Sequence, residues 1–97
     1  MPGYVSLLTW TDEGARNAKD TVKRYEAASG MAQRLGVSIR HIWWTMGSYD
    51  VVTVLEAPDD AAASRFAIAI GAQGNVRTVT MRAYTKDEMG KVLGGLP

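Results

Sequence analysis

The sequence feature that most constrains this fold is a turn, Gly-Ser-Tyr-Asp at residues 47–50, between two strand-like runs. The run before it begins with two adjacent tryptophans, and the run after it, residues 51–54, reads Val-Val-Thr-Val. Aromatic and β-branched residues favour strands, and Gly47 permits the positive φ that a tight connection needs. The pattern therefore predicts a β-hairpin in the middle of the chain.

Signals for further strands and helices flank this hairpin in a regular order. The predicted strands cover residues 3–10, 37–45, 50–57 and 76–84. A short helix is predicted after Thr11, with a break near residues 19–21, and longer helices are predicted over 21–35 and 61–70. The expected buried stripe of the first long helix consists of Val22, Tyr25, Ala28, Ala32 and Leu35.

The order of these elements defines the fold class. It is β-α-β-β-α-β, followed by a short C-terminal helix that a capping box at residues 85–88 predicts. This order is typical of the α+β ferredoxin-like fold, in which a four-stranded antiparallel sheet carries two main helices on one face. A chain of 97 residues has room for one such domain, and we expect it to span residues 1–97.

The predicted strands are apolar on both faces, although two helices can cover only one of them. The first three strands have apolar residues at both parities: Val5 and Leu7 against Leu8 and Trp10, Ile39 and Trp43 against Ile42 and Trp44, Val52 and Val54 against Val51 and Leu55. A sheet of this kind needs a cover on its second face. The expected cover is another copy of the same chain.

The turn and several other stretches resemble those of a known family. Gly47, Tyr49 and Asp50 after an aromatic strand resemble the signature of the GYD-domain family of small bacterial and archaeal proteins. The resemblance extends to the stretches at residues 4–8, 10–11, 56–60, 74–78 and 82–83. GYD-like chains are similar to dimeric α/β barrel proteins, so the resemblance implies that two sheets pack into one barrel enclosing a space in which related proteins bind substrates.

Composition and charge exclude several classes of function. The formal net charge is +1 and the basic residues are scattered, so no nucleic-acid partner is expected. There is no cysteine and only one histidine, which leaves too few ligands for a zinc site; no metal and no cofactor is predicted. No apolar run is long enough to span a membrane, and no signal peptide is recognised, so we expect a soluble cytoplasmic protein.

Few side chains are candidates for catalysis. His41 is the only histidine, and the period of a regular strand places it on the same face as Ile39 and Trp43. It is the candidate general base, because histidine titrates near neutral pH without help; the alternative is a histidine of an edge strand with no chemical role. Tyr49 is the candidate proton donor, and Arg40 is a candidate contact for an anionic group.

Three tryptophans and one aspartate are candidates for a ligand site or an interface. Trp43 and Trp44 are adjacent on a strand, so one should lie under the helices and the other on the open face, as an interface anchor or as a wall for a planar ligand. Trp10, at the end of the first strand, fits either place. Asp50 either accepts backbone hydrogen bonds in the turn or forms, with Tyr49, a polar pair at the mouth of a cavity.

Two functions are compatible with these residues. The first is a homo-oligomeric α/β barrel protein, a dimer or a multiple of one, that binds a small apolar or aromatic ligand or another protein, or that assembles further. The alternative is a cofactor-independent monooxygenase, isomerase or cyclase acting on an aromatic or polyketide-like molecule, with His41 as base. The sparse catalytic side chains favour the first function.

Overall fold

Four strands and four helices form the chain, in a computed structural model that describes residues 1–97. The strands are β1 (Gly3–Trp10), β2 (Ser38–Trp44), β3 (Val51–Glu56) and β4 (Val76–Ala83). The helices are α1 (Asp12–Arg16), α2 (Thr21–Arg34), α3 (Asp60–Ala72) and α4 (Lys86–Gly94), and a 3-10 turn (Ala18–Asp20) joins α1 to α2. The expected α+β ferredoxin-like order is confirmed.

The sheet has the order β2-β3-β1-β4, and all neighbouring strands are antiparallel. β3 and β1 lie in the centre, and β2 and β4 are the edges. The β2–β3 connection is the predicted hairpin, in which Gly47 has φ of 112° and the Thr45 N–H donates to the Asp50 carbonyl oxygen over 2.9 Å. Gly47 therefore supplies the positive φ expected of it.

Side-chain caps fix where the helices begin, because the first N–H groups of a helix have no partner within it. The Gly14 N–H donates to Thr11 Oγ1 over 3.1 Å, and the Ala62 N–H donates to Asp59 Oδ1 over 2.9 Å. At α4 the predicted capping box is present between Thr85 and Glu88. The Thr85 backbone N–H, and after it the Arg82 guanidinium, hold the pKa of Glu88 below its usual value.

The core lies between one face of the sheet and the helices α2 and α3. Its nine buried residues are Tyr4, Ala32, Val37, Leu55, Ala57, Ala62, Ala63, Phe66 and Ile70. Four of the nine are alanines, and three of these, Ala32, Ala62 and Ala63, are short side chains that the helices present to the sheet. A core this small contributes little hydrophobic stabilisation, since the burial of apolar area scales with side-chain size.

The inward face of α2 differs from the prediction at its first turn. Val22 is exposed, whereas Thr21 faces the sheet and its Oγ1 accepts a hydrogen bond from Trp44 Nε1 over 3.0 Å. The inward positions thus begin at Thr21 and continue through Tyr25 and Ala28, a spacing of four and three residues. The apolar pattern of the sequence did not reveal this register. Thr21 is polar, and its contact with the sheet is a hydrogen bond and not apolar packing.

A β-bulge in β2 changes the predicted faces of that strand. Ile39 pairs with Leu55 and His41 pairs with Val54, so Arg40 is an extra residue with no partner opposite it. An extra residue reverses the alternation of side chains beyond it. His41 therefore lies on the face opposite Ile39, not on the same face as expected, while its placement with Trp43 is confirmed.

None of the helices combines the length and the apolar character that crossing a membrane would require. α4 follows β4 at the end of the chain and is joined to it by an ion pair between Arg82 and Glu88, 3.2 Å from Nη2 to Oε2. Its apolar residues Met89, Val92 and Leu93 are exposed.

Candidate functional site

The open face of the sheet is an apolar surface that crosses all four strands. Strand pairing aligns its side chains in two rows. The first row is His41, Val54, Val5 and Met81, and the second is Trp43, Val52, Leu7 and Val79. Seven of these eight residues are apolar, and the outermost ones are well exposed: Trp43 by 52%, Val79 by 51% and Met81 by 44%. We call these eight residues the open face.

Polar groups lie at the two ends of the open face. At one end, Arg40 Nε is 3.4 Å from Glu56 Oε1, and at the other end Thr9 pairs with Arg77 across β1 and β4. Within the face, the rings of His41 and Trp43 stack with centroids 5.3 Å apart and planes 10° from parallel. An apolar centre with a polar rim is the usual anatomy of a protein interface.

Asp50 joins the hairpin to the end of β1. Its Oδ2 accepts a hydrogen bond from the Trp10 backbone N–H over 2.8 Å, and its own N–H donates to the Leu8 carbonyl oxygen over 2.9 Å. Asp50 thus satisfies a backbone donor just beyond the point where β1 and β3 stop pairing. The backbone N–H that donates to the Asp50 side chain belongs to β1 and not to the turn, and a role of Asp50 in a ligand site stays a prediction.

Tyr49 lies on the outside of the same hairpin. Its carbonyl oxygen accepts from Thr45 Oγ1 over 2.6 Å, and its ring is partly exposed. Neither Tyr49 nor His41 lines the cavity described next. The two residues expected to act together in catalysis are placed on the hairpin and on the open face, respectively.

A cavity of about 90 Å³ lies on the other side of the sheet, under α2 and α3. The helices contribute two small residues, Ala28 of α2 and Ala67 of α3, among larger ones such as Tyr25 and Phe66. Most of its wall is apolar or aromatic: Leu8, Tyr25, Ile39, Ile42, Trp44, Val51, Leu55, Phe66, Ile70 and Val76. Pockets that bind small molecules are typically lined in this way.

The floor of the cavity is polar, which the sequence did not reveal. The hydroxyls of Ser6, Thr53, Thr78 and Thr80 belong to strand residues that face the helices. Ser6 Oγ and Thr80 Oγ1 are 2.9 Å apart and share one hydrogen bond. Threonine is common in strands by propensity alone, so only the alternation of these residues with exposed ones in β4 could have indicated a buried polar patch.

Trp10 and Trp44 both line the cavity, but their indole nitrogens differ. Trp44 Nε1 donates to Thr21 Oγ1, and its ring meets Tyr25 edge to face with centroids 6.1 Å apart. Trp10 Nε1 is buried and has no acceptor within hydrogen-bond distance. An unpaired buried donor lowers the free energy of unfolding, so such groups are uncommon in native proteins.

Tyr4 lies outside the cavity lining and contacts Asp60, the first residue of α3. Its hydroxyl donates to Asp60 Oδ1 over 2.5 Å. This hydrogen bond, and then burial, raise the pKa of Tyr4 to about 12. Elsewhere, no three His, Asp or Glu side chains come together as a metal site would require.

Comparisons with known proteins agree with the turn signature. The family model described as GYD domain matches residues 4–93. A curated relative from Thermus thermophilus, named glutamine synthetase and cystathionine beta-lyase binding protein, is 32% identical over 84 residues, which cover 86% of this chain and 88% of the relative. No solved structure matches the chain significantly. The chain therefore belongs to the GYD domain family.

Proposed function

We propose that this chain is a non-catalytic binding module that works as a homodimer, with the open face of each copy packed against the other, and that the dimer binds an enzyme. The observation that carries the proposal is the pair of apolar rows across the whole sheet. Exposed to water, such a face is a liability for a small protein.

The size of the open face suits a second copy. Four strands spaced about 4.8 Å apart, with about seven residues each at about 3.3 Å, give a sheet of roughly 19 by 23 Å. That is roughly 450 Å² in projection, and the relief of the side chains brings it toward the ~800 Å² per partner of a standard interface. Two copies related by a two-fold axis would present the same patch to each other.

The small core is a second argument for dimerisation. Its alanine-rich helices leave the single chain with little buried apolar area. Burying the open face of each copy adds stabilisation at about 25 cal/mol per Å² of apolar area. We infer that folding stability and dimerisation are coupled in this protein.

The binding of an enzyme rests on the relative, whose name states that it binds glutamine synthetase and cystathionine beta-lyase. A protein partner also suits a chain whose one histidine is stacked on Trp43 and lies outside the cavity. Binding is therefore favoured over the catalytic alternative. Such a partner would place the protein in the cytoplasm, which is part of the proposal.

Dimerisation is tested by multi-angle light scattering at micromolar concentration, with Trp43→Ala and Trp44→Ala as a matched pair. The wild type should be a dimer. Trp43→Ala should weaken the dimer by about 30-fold, the effect of losing an interface hot spot of ~2 kcal/mol, with little change in monomer stability. Trp44→Ala should remain dimeric but melt earlier, because Trp44 packs on Tyr25. A monomeric wild type would refute the proposed dimer.

Enzyme binding is tested by biolayer interferometry with purified glutamine synthetase and cystathionine beta-lyase from the organism that encodes this chain. We expect a dissociation constant of about 10 μM or lower for at least one of them. If neither enzyme binds at about 100 μM, the enzyme-binding part of the proposal fails, while the dimer stands or falls on light scattering alone.

A further inference from the structure

We propose that the free edge of β4 binds an extended segment of a protein partner as an additional strand, and that side chains of this segment enter a groove between β4 and α3. This surface is separate from the open face, and the choice of a protein as its occupant rests on the proposed enzyme binding. Three features of the molecule support it: the two sheet edges differ, a groove lies beside β4, and β4 carries positive charge.

The two edges of the sheet differ in how they are protected. β2 is interrupted by the bulge at Arg40, and bulges are one of the devices that prevent edge strands from pairing with other chains. β4 pairs with β1 at every residue from Val76 to Ala83 without a shift, and its sequence has no proline. Its other side has no neighbouring strand. A regular edge of eight residues is a template for an added strand.

Alternate residues of β4 have backbone groups that point away from the sheet. The Thr11 N–H donates to the Asn75 carbonyl oxygen, which makes these two residues a hydrogen-bonded pair next to the end of the β1–β4 ladder. Hydrogen-bonded pairs recur at every second residue of an antiparallel ladder. The N–H and C=O groups of Thr78, Thr80 and Arg82 therefore lie on the free edge, where an extended backbone can pair with them.

A groove of about 490 Å³ lies beside these backbone groups, on the face of the sheet that carries α3. Thr78 and Thr80 of β4 line one side of it, and Ala67 and Ile68 of α3 line the other. Ile68 is 72% exposed, although it is large and apolar. Every second side chain of an added strand would point into this groove and pack against Ile68. The groove therefore selects apolar side chains at alternate positions.

The charges on β4 distinguish between a second copy and a different protein as the added strand. β4 has two arginines, Arg77 and Arg82, and no acidic residue. Arg82 is paired with Glu88, whereas Arg77 forms no ion pair. Two β4 strands side by side would bring only positive charges together, while an acidic side chain opposite Arg77 would be stabilised. The occupant is thus a segment of another protein, with apolar residues at alternate positions and an acidic residue beside them.

The probe for this surface is the acetylated and amidated peptide Gly-Thr-Thr-Val-Thr-Val-Glu-Gly. Paired antiparallel to β4, its valines lie opposite Thr80 and Thr78 and face the groove, and its glutamate lies opposite Arg77. Titration of the ¹⁵N-labelled wild-type protein, followed by NMR, should shift the backbone amide resonances of Thr78, Thr80 and Arg82 and leave those of β2 unchanged. We expect saturable binding with a dissociation constant below about 1 mM.

Two control peptides change one feature each. Methylation of the first valine nitrogen removes a backbone donor to β4 and keeps every side chain, so it should weaken binding by about tenfold. Replacement of the glutamate by lysine reverses the charge opposite Arg77 and should weaken binding by about threefold, the effect of a solvent-exposed charge pair.

The variants Ile68→Ser and Val22→Ser each remove an exposed apolar side chain, one from α3 and one from α2. Ile68→Ser should weaken binding of the peptide by about fivefold, since it removes an apolar wall of the groove. Val22→Ser should leave the affinity unchanged, because Val22 does not line the groove. Both variants should remain dimers by light scattering, and Ile68→Ser should also weaken the binding of whichever enzyme the wild type binds.

The proposal is overturned if the peptide at about 5 mM leaves the β4 amide resonances unmoved, or if the N-methylated peptide binds as tightly as the unmodified one. Protection of the Thr78 and Thr80 amides from hydrogen exchange in the free wild-type protein would also overturn it, because a second copy would then occupy the edge. Equal affinity of an enzyme for wild type and Ile68→Ser would show that the enzyme binds elsewhere. If neither enzyme binds, the proposed function fails, while the peptide titration still decides whether β4 accepts a strand.

Discussion

The middle rows of the two sheet faces have the reverse of the usual polarity. The face covered by the helices carries, in its middle row, Ile42, Thr53, Ser6 and Thr80, three of which are hydroxyl residues. The open face carries Trp43, Val52, Leu7 and Val79 in the adjacent row, with no polar side chain. Of these two rows, the one that the chain itself covers is therefore the more polar.

The difference between the two rows reflects two surroundings: a cavity above the covered face and, as proposed, a second copy of the chain against the open face. The covered face is polar at its floor because a cavity lies above it, and hydroxyls that face a cavity can find partners there. The open face is apolar, although nothing in the single chain covers it. Its side chains match those of an interface core, which is the reason for proposing a second copy as its cover.

The largest expected effect compares two neighbouring residues of β3 that lie on opposite faces. Leu55 is 2% exposed and belongs to the core, whereas Val54 lies on the open face. Leu55→Asp should prevent folding, because burying an unpaired carboxylate costs about 4 kcal/mol or more. Val54→Asp should give a folded monomer. Circular dichroism and light scattering on both variants make the comparison.

Two outcomes would contradict this difference between the faces. If Val54→Asp remains a dimer, the copies associate through another surface, and α4 would be the next candidate. If Val54→Asp unfolds as Leu55→Asp does, the open face is needed for the fold of the single chain and not only for its association.

A smaller effect is expected where the hairpin meets the end of β1 and Asp50 Oδ2 accepts a hydrogen bond from the Trp10 backbone N–H. Asp50→Ala should lower the free energy of unfolding by about 1–3 kcal/mol, since it leaves a backbone donor without its charged acceptor. The matched control is Tyr49→Phe, which removes the neighbouring hydroxyl and should change stability by less than about 0.5 kcal/mol. Urea unfolding of both variants provides the values, and equal stability of Asp50→Ala and the wild type would show that the turn does not need this acceptor.

The last effect concerns the covered face at alkaline pH. Tyr4 has its pKa raised to about 12 by the Asp60 hydrogen bond and by burial, from an ordinary value near 10. A raised pKa contributes stability that is fully present below pH 10 and is lost as the pH rises toward 12, because the unfolded phenol ionises first. The stability advantage of the wild type over Tyr4→Phe should therefore be constant up to about pH 10 and shrink above it.

Urea unfolding at several pH values between about 8 and 12 measures this advantage. Its decline should be no steeper than about 1.4 kcal/mol per pH unit, the limit for one titrating group. Tyr84→Phe removes an exposed phenol and controls for general alkaline effects. A constant advantage of the wild type up to pH 12 would mean that the phenol of Tyr4 does not titrate as its contacts imply.

Much of the fold could be predicted from local signals in the sequence. Gly47 in the turn, the capping box at Thr85 and Glu88, and the cap at Thr11 each act within a few residues, and each has the predicted role. The four strands and the two long helices differ from their predicted bounds by at most two residues at any end. Interactions of short range are encoded in short segments, which is why these features can be read directly.

The site was less predictable, because it depends on register. One extra residue at Arg40 moves His41 away from the face of Ile39. On α2, a shift of one position means that Thr21, and not Val22, faces the sheet. The interior position of the Ser6 and Thr80 hydroxyls depends on which parity of each strand meets the helices. Strand periodicity gives two sets of residues but does not say which set is inside when both are apolar.

By itself, the sequence determined the order of the elements, the hairpin at Gly47 and the presence of apolar residues on both faces of the sheet, since these follow from propensity, turn chemistry and alternation. The tertiary structure decided that Trp44 lies under the helices and Trp43 on the open face, that Asp50 holds Trp10, and that Trp10 Nε1 is buried without a partner. These features join residues distant in the chain, and only the packing of helices on one face of the sheet brings them together.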